Sequence, residues 1–300
     1  MDKTAIGVIG LGSMGGGMAR SLLRAGFAVP AFDVRDTAVA EFAREGGIAC
    51  SSPAEVGRQA GVVITAVLNA AQTEEVLLEP EGAATTLKPG STVIASATAA
   101  PDFAESLGAK LAERHIHLLD APMSGGAAKA ATGELTIMAS GSDAAFAGAE
   151  KALGAVAAKV YRLGAAPGIG SKVKMVNQLL AGVHIAAAAE AMALGIRAGA
   201  DPKALYEVIS NSAGSSWMFQ NRVPHMLEGD YTPLSAVEIF VKDLGIVLDV
   251  GRRLTFPLPL TSTAHQMYLA TSAHGHGRED DAAVIKMFAA LSGIELPAKD

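Results

Sequence analysis

Short apolar runs punctuate the first half of the chain at residues 4–9 (TAIGVI), 61–67 (GVVITAV), 92–95 (TVIA), 116–119 (IHLL) and 135–139 (LTIMA). Runs this short, without strict alternation of polar residues, read as strands buried on both faces. Ten or more residues of helix-like content separate them, for example 102–113 (DFAESLGAKLAE). Strands alternating with helices imply a parallel sheet with covering helices. A further strand is expected at 28–32 (AVPAF), strained by Pro30, which cannot donate to a ladder.

After Tyr161 the period changes. A long helical segment without proline is expected over 171–198, followed by helical stretches near 201–213, 238–254, 260–274 and 280–292, with no convincing strand. Gly164, Pro167, Gly168 and Gly170 mark the change. The expected architecture is therefore an α/β domain over 1–164, a Rossmann-type, doubly wound and mainly parallel sheet. An all-α C-terminal domain over 165–300 follows, entered through a long interdomain helix, with a site expected between the two.

Composition narrows the function classes. Half of the 300 residues are hydrophobic and 18% are charged, which excludes a disordered chain. Lys and Arg number 24 against 30 acidic residues, a net charge of −6, with no basic run to track phosphates, so no nucleic-acid partner is expected. The one cysteine, Cys50, cannot form an internal disulfide, reads as part of a buried strand and fits a reducing cytoplasm. No leader is expected, because residues 1–12 lack a signal-peptide layout and read as a first strand. No bilayer span is expected either: the Ala-rich segment 179–189 carries His184 and ends at Glu190. Gly, at 33 residues against a usual share of about 7%, calls for positional explanations.

The first lies in Gly10-Leu11-Gly12-Ser13-Met14-Gly15, between the first strand and a helical pattern. The first glycine permits the tight turn, the second lets backbone approach a pyrophosphate, and the third lets helix and strand pack closely. Asp33, at the end of the next strand, suits the adenosine ribose hydroxyls and would repel a 2′-phosphate, favouring NAD over NADP, an effect blunted by Arg35.

A second cluster is Asp120-Ala-Pro-Met-Ser124-Gly125-Gly126, in which a hydroxyl and two bared backbone N–H groups could hold a carboxylate. A third opens the long helix, where Lys174, Asn177 and Gln178 share a face and Lys172 points elsewhere. A lone helical lysine is usually a solvated surface charge. Near a helix start and in a cleft its charged form is disfavoured, which suits Lys174 as general base for a substrate hydroxyl, with Asn177 orienting it. In the apolar segment around Phe240, Lys242 either pairs with a carboxylate such as Asp243 or faces the cleft. Trp217 reads as packing, His274 and His276 as surface, and no metal is implied by the histidine spacing.

Taken in order, GLGSMG, DAPMSGG, GIGSKVKMVN and KDLG resemble the β-hydroxyacid dehydrogenase family along essentially the whole chain. The stretches NQLLAGVHIAAAAEAMAL, SWMFQNR, GDYTPLSAVEIFVKDLG, FPLPLTSTA and GREDDAAVIKMF look most like members that oxidise a sugar acid at its 2-hydroxyl with NAD. The resemblance implies that Lys174 is the catalytic lysine, that Asn177 is its helical neighbour, and that Ser124, Gly125 and Gly126 receive the substrate carboxylate. It further implies that Thr98 and Lys242 contact cofactor and that Phe240 lies near substrate. The family's Asp-x-Ser-Thr reads Ala95-Ser96-Ala97-Thr98 here, and Gln178 stands where many relatives have a second asparagine. A small sugar-acid substrate and a homodimer or homotetramer are the expected partners. Enzymes of the same family acting on 3-hydroxyisobutyrate or tartronate semialdehyde are rivals, as is a non-catalytic dinucleotide-binding module. Imine reduction is disfavoured because those relatives typically replace the lysine.

Overall fold

The computed structural model describes residues 4–297. Its strands are β1 (Ile6–Ile9), β2 (Pro30–Phe32), β3 (Ile48–Ala49), β4 (Val62–Thr65), β5 (Thr92–Ala95), β6 (His117–Asp120), β7 (Met123–Ser124), β8 (Leu135–Ser140) and β9 (Ala157–Gly164). The helices among them are α1 (Ser13–Arg24), α2 (Asp36–Arg44), α3 (Pro53–Gln59), α4 (Ala70–Leu78), α5 (Pro101–Ala112), α6 (Gly126–Thr132) and α7 (Asp143–Val156). All strands join one sheet, ordered β3-β2-β1-β4-β5-β6-β8-β7, with β9 also paired to β8. From β3 to β6 the pairing is parallel; β8 then runs antiparallel to β6 and β7. The order 3-2-1-4-5-6 reverses direction between β1 and β4, which leaves a crevice at their carboxyl ends.

Successive residues of the central strands serve opposite faces. Ile64, Ile94 and Leu119 enter one core with Met18, Leu22 and Phe146, while their neighbours Val63, Val93 and Leu118 enter a second with Val56, Leu107 and Leu111. Both faces are covered, so the strands read as unbroken apolar runs.

The chain divides into two compact units, Met1–Lys174 and Met175–Asp300. The division falls inside α8 (Ile169–Arg197), which is followed by α9 (Pro202–Ser210), α10 (Trp217–Glu228), α11 (Val237–Arg253), α12 (Pro259–Thr271) and α13 (Val284–Ser292). The second unit is helical among the described residues apart from one isolated bridge, Ala236 to Asp280. Its core gathers Ile185, Met192, Phe219, Val223, Leu244, Tyr268 and Ile285. A buried ion pair closes it: the Arg222 Nε donates to Asp281 Oδ1 at 2.5 Å, with a second bond to Oδ2 at 3.2 Å.

Several expectations need correction. β2 begins at Pro30, a position that needs no N–H, so the proline is tolerated at the strand's first residue. Cys50 is buried but lies just past β3, and the two residues of β3 are exposed. α10 lies where no helical stretch was expected, between 213 and 238; it is capped by Ser216, whose Oγ accepts from the Phe219 N–H at 3.0 Å, and Pro224 inside it hides the helical pattern. Trp217 itself is 63% exposed and does not pack into this unit. β7 and β9 pass unnoticed because the first has two residues and the second alternates little and is mostly exposed or half-buried. α8, at 29 residues and a mean hydropathy of 1.8 over its most apolar window, is long and apolar enough to cross a membrane by length and composition, a property that the core helix of a soluble protein shares, so this leaves the expectation of no span standing.

α1 packs on α6 through Gly17, where a Cβ would lie 2.8 Å from the Ala131 nitrogen and 2.9 Å from the Ala130 carbonyl carbon. Gly17→Ala is expected to destabilise the first unit by about 1–3 kcal/mol, since backbone atoms cannot yield to the added methyl. Thermal unfolding checks this, and an unchanged midpoint would contradict the packing.

Candidate active site

The turn after β1 is built for close approach. Gly10 has φ +96°, and a Cβ there would lie 2.6 Å from the Ala66 carbonyl oxygen. A Cβ on Gly15 would sit 1.9 Å from the Gly10 oxygen, so α1 can press onto the turn only with glycine at that position. Gly12, by contrast, is exposed and a Cβ there would meet nothing within 4 Å. Gly12 provides no side-chain cap for α1, and the first turn carries no acidic residue. An open helix N-terminus of this kind, with Gly12 and Ser13 exposed and Leu11 and Met14 more covered, is suited to an external anion.

Asp33 closes the other side of this turn. Its Oδ2 accepts from the Leu11 N–H at 2.7 Å, and its Oδ1 accepts from the Arg35 backbone N–H at 2.9 Å and the Arg35 Nε at 3.0 Å. Burial alone would raise the Asp33 carboxyl, but the bonds from Arg35 and Leu11 outweigh it and hold the group below the usual carboxylate range. A fixed anion at the end of β2, beside the glycine turn, has the charge to accept from a diol and to repel a phosphate. The residues present thus fit a dinucleotide: an open cradle at Gly12, a bare helix start and an ionised acceptor.

Ser124 belongs to the short strand β7, opposite Thr136 of β8, and is not part of a loop. Gly125 and Gly126 follow with φ +136° and +74°, a conformation that favours glycine, and a Cβ on Gly126 would meet open space. Thr98 lies half-buried between β5 and α5.

At the base of the same segment, Asp120 ends β6 and is buried. Its Oδ2 accepts from the backbone N–H groups of Gly168 and Ser171, both at 2.9 Å, and from Ser140 Oγ at 3.2 Å. Its Oδ1 accepts from Ser171 Oγ at 2.7 Å. Ser140 Oγ in turn accepts from the Gly170 N–H at 2.9 Å. Burial pushes the Asp120 carboxyl above its ordinary value, offset only in part by these bonds. α8 therefore starts against the sheet, and Lys174, one turn further on, is buried.

In the second unit α8 carries Asn177 and Gln178. The Gln178 Nε2 donates to Asp243 Oδ2 at 2.5 Å, and the Asn177 Nδ2 donates to Gln178 Oε1 at 3.1 Å. Lys242 donates to the other oxygen of Asp243. Lys242 thus pairs with the adjacent carboxylate, one of the two alternatives its apolar surroundings allow. Phe240, on the same helix, is buried and stacked on Tyr268, ring centroids 5.2 Å apart. The structure links the glycine turn to Asp33, the end of β6 to the start of α8 through Asp120, and Asn177, Gln178 and Lys242 through Asp243. Sequence reasoning assigned no task to Asp120, Ser140 or Ser171; a lone carboxylate closing an apolar strand was the available signal. No group of three or more His, Cys, Asp or Glu side chains that could hold a metal occurs among the described residues.

A glycine turn at the sheet's reversal point, an uncapped helix start and an acidic strand end are the features of a dinucleotide-binding domain. Residues 5–164 match the NAD binding domain of 6-phosphogluconate dehydrogenase, and residues 168–288 match the family described as NAD-binding of NADP-dependent 3-hydroxyisobutyrate dehydrogenase. An L-threonate dehydrogenase of Cupriavidus necator is 64% identical over 98% of both chains, and one of Escherichia coli is 52% identical over 97% of this chain and 96% of its own. A crystal structure of 3-hydroxyisobutyrate dehydrogenase from Salmonella typhimurium superposes with a TM-score of 0.89 at 51% identity, covering 95% of this chain and 99% of that one. The chain belongs to the β-hydroxyacid dehydrogenase family, enzymes that act on a CH–OH group with a nicotinamide cofactor.

Loss of Asp243 would leave the buried amide nitrogen of Gln178 without its carboxylate acceptor and remove an ion pair from Lys242. Asp243→Ala is expected to cost about 2–4 kcal/mol of stability, and Asp243→Asn clearly less. Urea unfolding of the two variants measures the difference; equal, near-zero losses would show that the network holds nothing.

Proposed function

We propose that the protein oxidises L-threonate at its 2-hydroxyl with NAD, giving 2-oxo-tetronate (2-dehydro-L-erythronate). The observation that carries this reading is 64% identity over 98% of the chain to an enzyme named for that substrate. A buried lysine at the start of α8 supports it. In this reading the substrate carboxylate accepts hydrogen bonds from Ser124 and from the backbone N–H groups of Gly125 and Gly126. Lys174, its amine uncharged, takes the proton of the 2-hydroxyl as the C2–O bond becomes a carbonyl. Asn177 and Gln178 orient the polyol, and Phe240 helps to shape the site from α11. Gly10, Leu11, Gly12, Ser13, Met14 and Gly15 hold the pyrophosphate, Asp33 the adenosine ribose, and Thr98 and Lys242 the nicotinamide half. NAD, when bound, supplies the oxidant that accepts the C2 hydrogen with its electron pair. Buried polar groups facing the distal hydroxyls would be left unmatched by shorter acids, which is the source of selectivity.

A second reading, 3-hydroxyisobutyrate as substrate, is favoured by the name of the Salmonella structure at 51% identity. A panel of four-carbon and branched hydroxy acids separates the two, with L-threonate expected to give the highest kcat/KM. We further infer a cytoplasmic homodimer or homotetramer that takes neither nucleic acid nor membrane as partner. The exposed apolar residues Val173, Val176, Leu180 and Leu194 along α8 support the oligomer.

Lys174→Ala is expected to lower kcat by about two to four orders of magnitude while leaving NAD affinity, read by fluorescence titration, unchanged. Wild-type turnover in that variant would remove the base. Asp33→Ser is expected to move the NAD:NADP preference at least about tenfold toward NADP. Because Asp33 is held below the ordinary carboxylate range, it is ionised above that range, and the wild-type preference should persist down to about pH 5. A preference that collapses between pH 7 and 5 would contradict the assignment.

A further inference from the structure

The segment leading into α8, Gly164-Ala-Ala-Pro-Gly168, contains no side-chain acceptor. Its N-terminal N–H groups therefore have nothing in their own loop to bond, and such groups buried without partners are costly. The sheet provides the acceptors. Asp120, from the end of β6, takes Gly168 and Ser171; Ser140, from the end of β8, takes Gly170 and donates its own proton to Asp120. Ser171 adds a second bond through its hydroxyl. The first turn of α8 is also pressed to the sheet, since a Cβ on Gly170 would lie 2.3 Å from the Met138 oxygen and 2.9 Å from the Asp120 oxygen. Every partner in this set belongs to the first unit, as does Lys174.

Two functional segments leave from this one carboxylate. Going forward along the chain, Ser124 lies four residues from Asp120. Across the hydrogen bonds, Lys174 lies three residues from Ser171, a rise of about 4.5 Å along the helix. A buried carboxylate with four donors has little freedom to tilt, so the carboxylate-receiving segment and the start of the lysine's helix share one rigid anchor. A displacement of about 1 Å between base and substrate can cost on the order of 100-fold in rate.

We propose that Asp120 is a positioning residue for the oxidation, holding the first turn of α8 so that Lys174 is set against the segment Ser124–Gly126. The proposal rests on Lys174 acting as the base. Asp120→Asn replaces acceptor capacity with an N–H₂ that faces donors, and is expected to lower kcat about 10- to 100-fold. KM for the hydroxy acid and the fluorescence-titrated affinity for NAD should stay within about threefold. In a Lys174→Ala background the same substitution is expected to add no further loss, because Asp120 works through the lysine. Ser171→Ala, which removes one bond and keeps the backbone, is expected to lower kcat about 3- to 10-fold with the same unchanged KM and NAD affinity.

A purely structural role would lower the melting temperature of these variants and leave turnover per folded enzyme untouched. Wild-type kcat in folded Asp120→Asn, or losses that multiply with Lys174→Ala, would overturn the proposal. If Asp120→Asn does not fold, Ser171→Ala decides: wild-type kcat there overturns it as well. Full activity of Lys174→Ala would instead sink the base on which it rests, so the two failures are distinguishable.

Discussion

A helix that enters from a turn made only of glycine, alanine and proline arrives with backbone N–H groups its own loop cannot satisfy. In this protein the missing acceptors sit on the sheet, at the ends of β6 and β8, and Asp120 is the centre of them. The carboxylate is desolvated, which costs free energy, and the cost is offset only because all of its contacts are donors in good geometry. α8 therefore starts in one place relative to the sheet. Everything assigned to its first two turns inherits that place.

Two of the glycine-preceded helix starts in the first unit are treated in opposite ways. α8 has its leading N–H groups consumed internally by Asp120 and Ser140. α1 has no side-chain cap, no acidic residue in its first turn, and open space beside Gly12. Both termini carry the same positive end of a helix dipole, and only the uncapped one is left to attract an anion. Which helix start the protein satisfies itself thus separates the two termini: one is anchored to the sheet and the other is left open. In the second unit Asp243 has a comparable part: Lys242 and Gln178 share its two oxygens, and the amide chain continues to Asn177.

Much of this was legible in the chain because the signals were local. The apolar runs at 61–67, 92–95 and 116–119 hold the central strands β4, β5 and β6 to within a residue or two, since burial on both faces demands such runs. Gly10 and Gly15 could be read because each meets a steric demand within a few residues or at the neighbouring strand, while Gly12 faces open space. The elements that escaped were those whose stability is not local. β9 is mostly exposed or half-buried and exists by pairing with β8, β3 has only two residues, and α10 holds despite Pro224 because Phe219, Val223 and Met226 are buried in the second core.

The order of residues was sufficient to determine the class of fold, the glycine turn after the first strand and the family, since all three are written in spacing along one strand, one turn and one helix. The tasks of Asp120, Ser140 and Ser171 were decided only by the tertiary structure. These residues lie on two strand ends and a helix 20 to 51 positions apart in sequence, and a carboxylate's hydrogen-bond partners depend on distance in space, which no local pattern encodes.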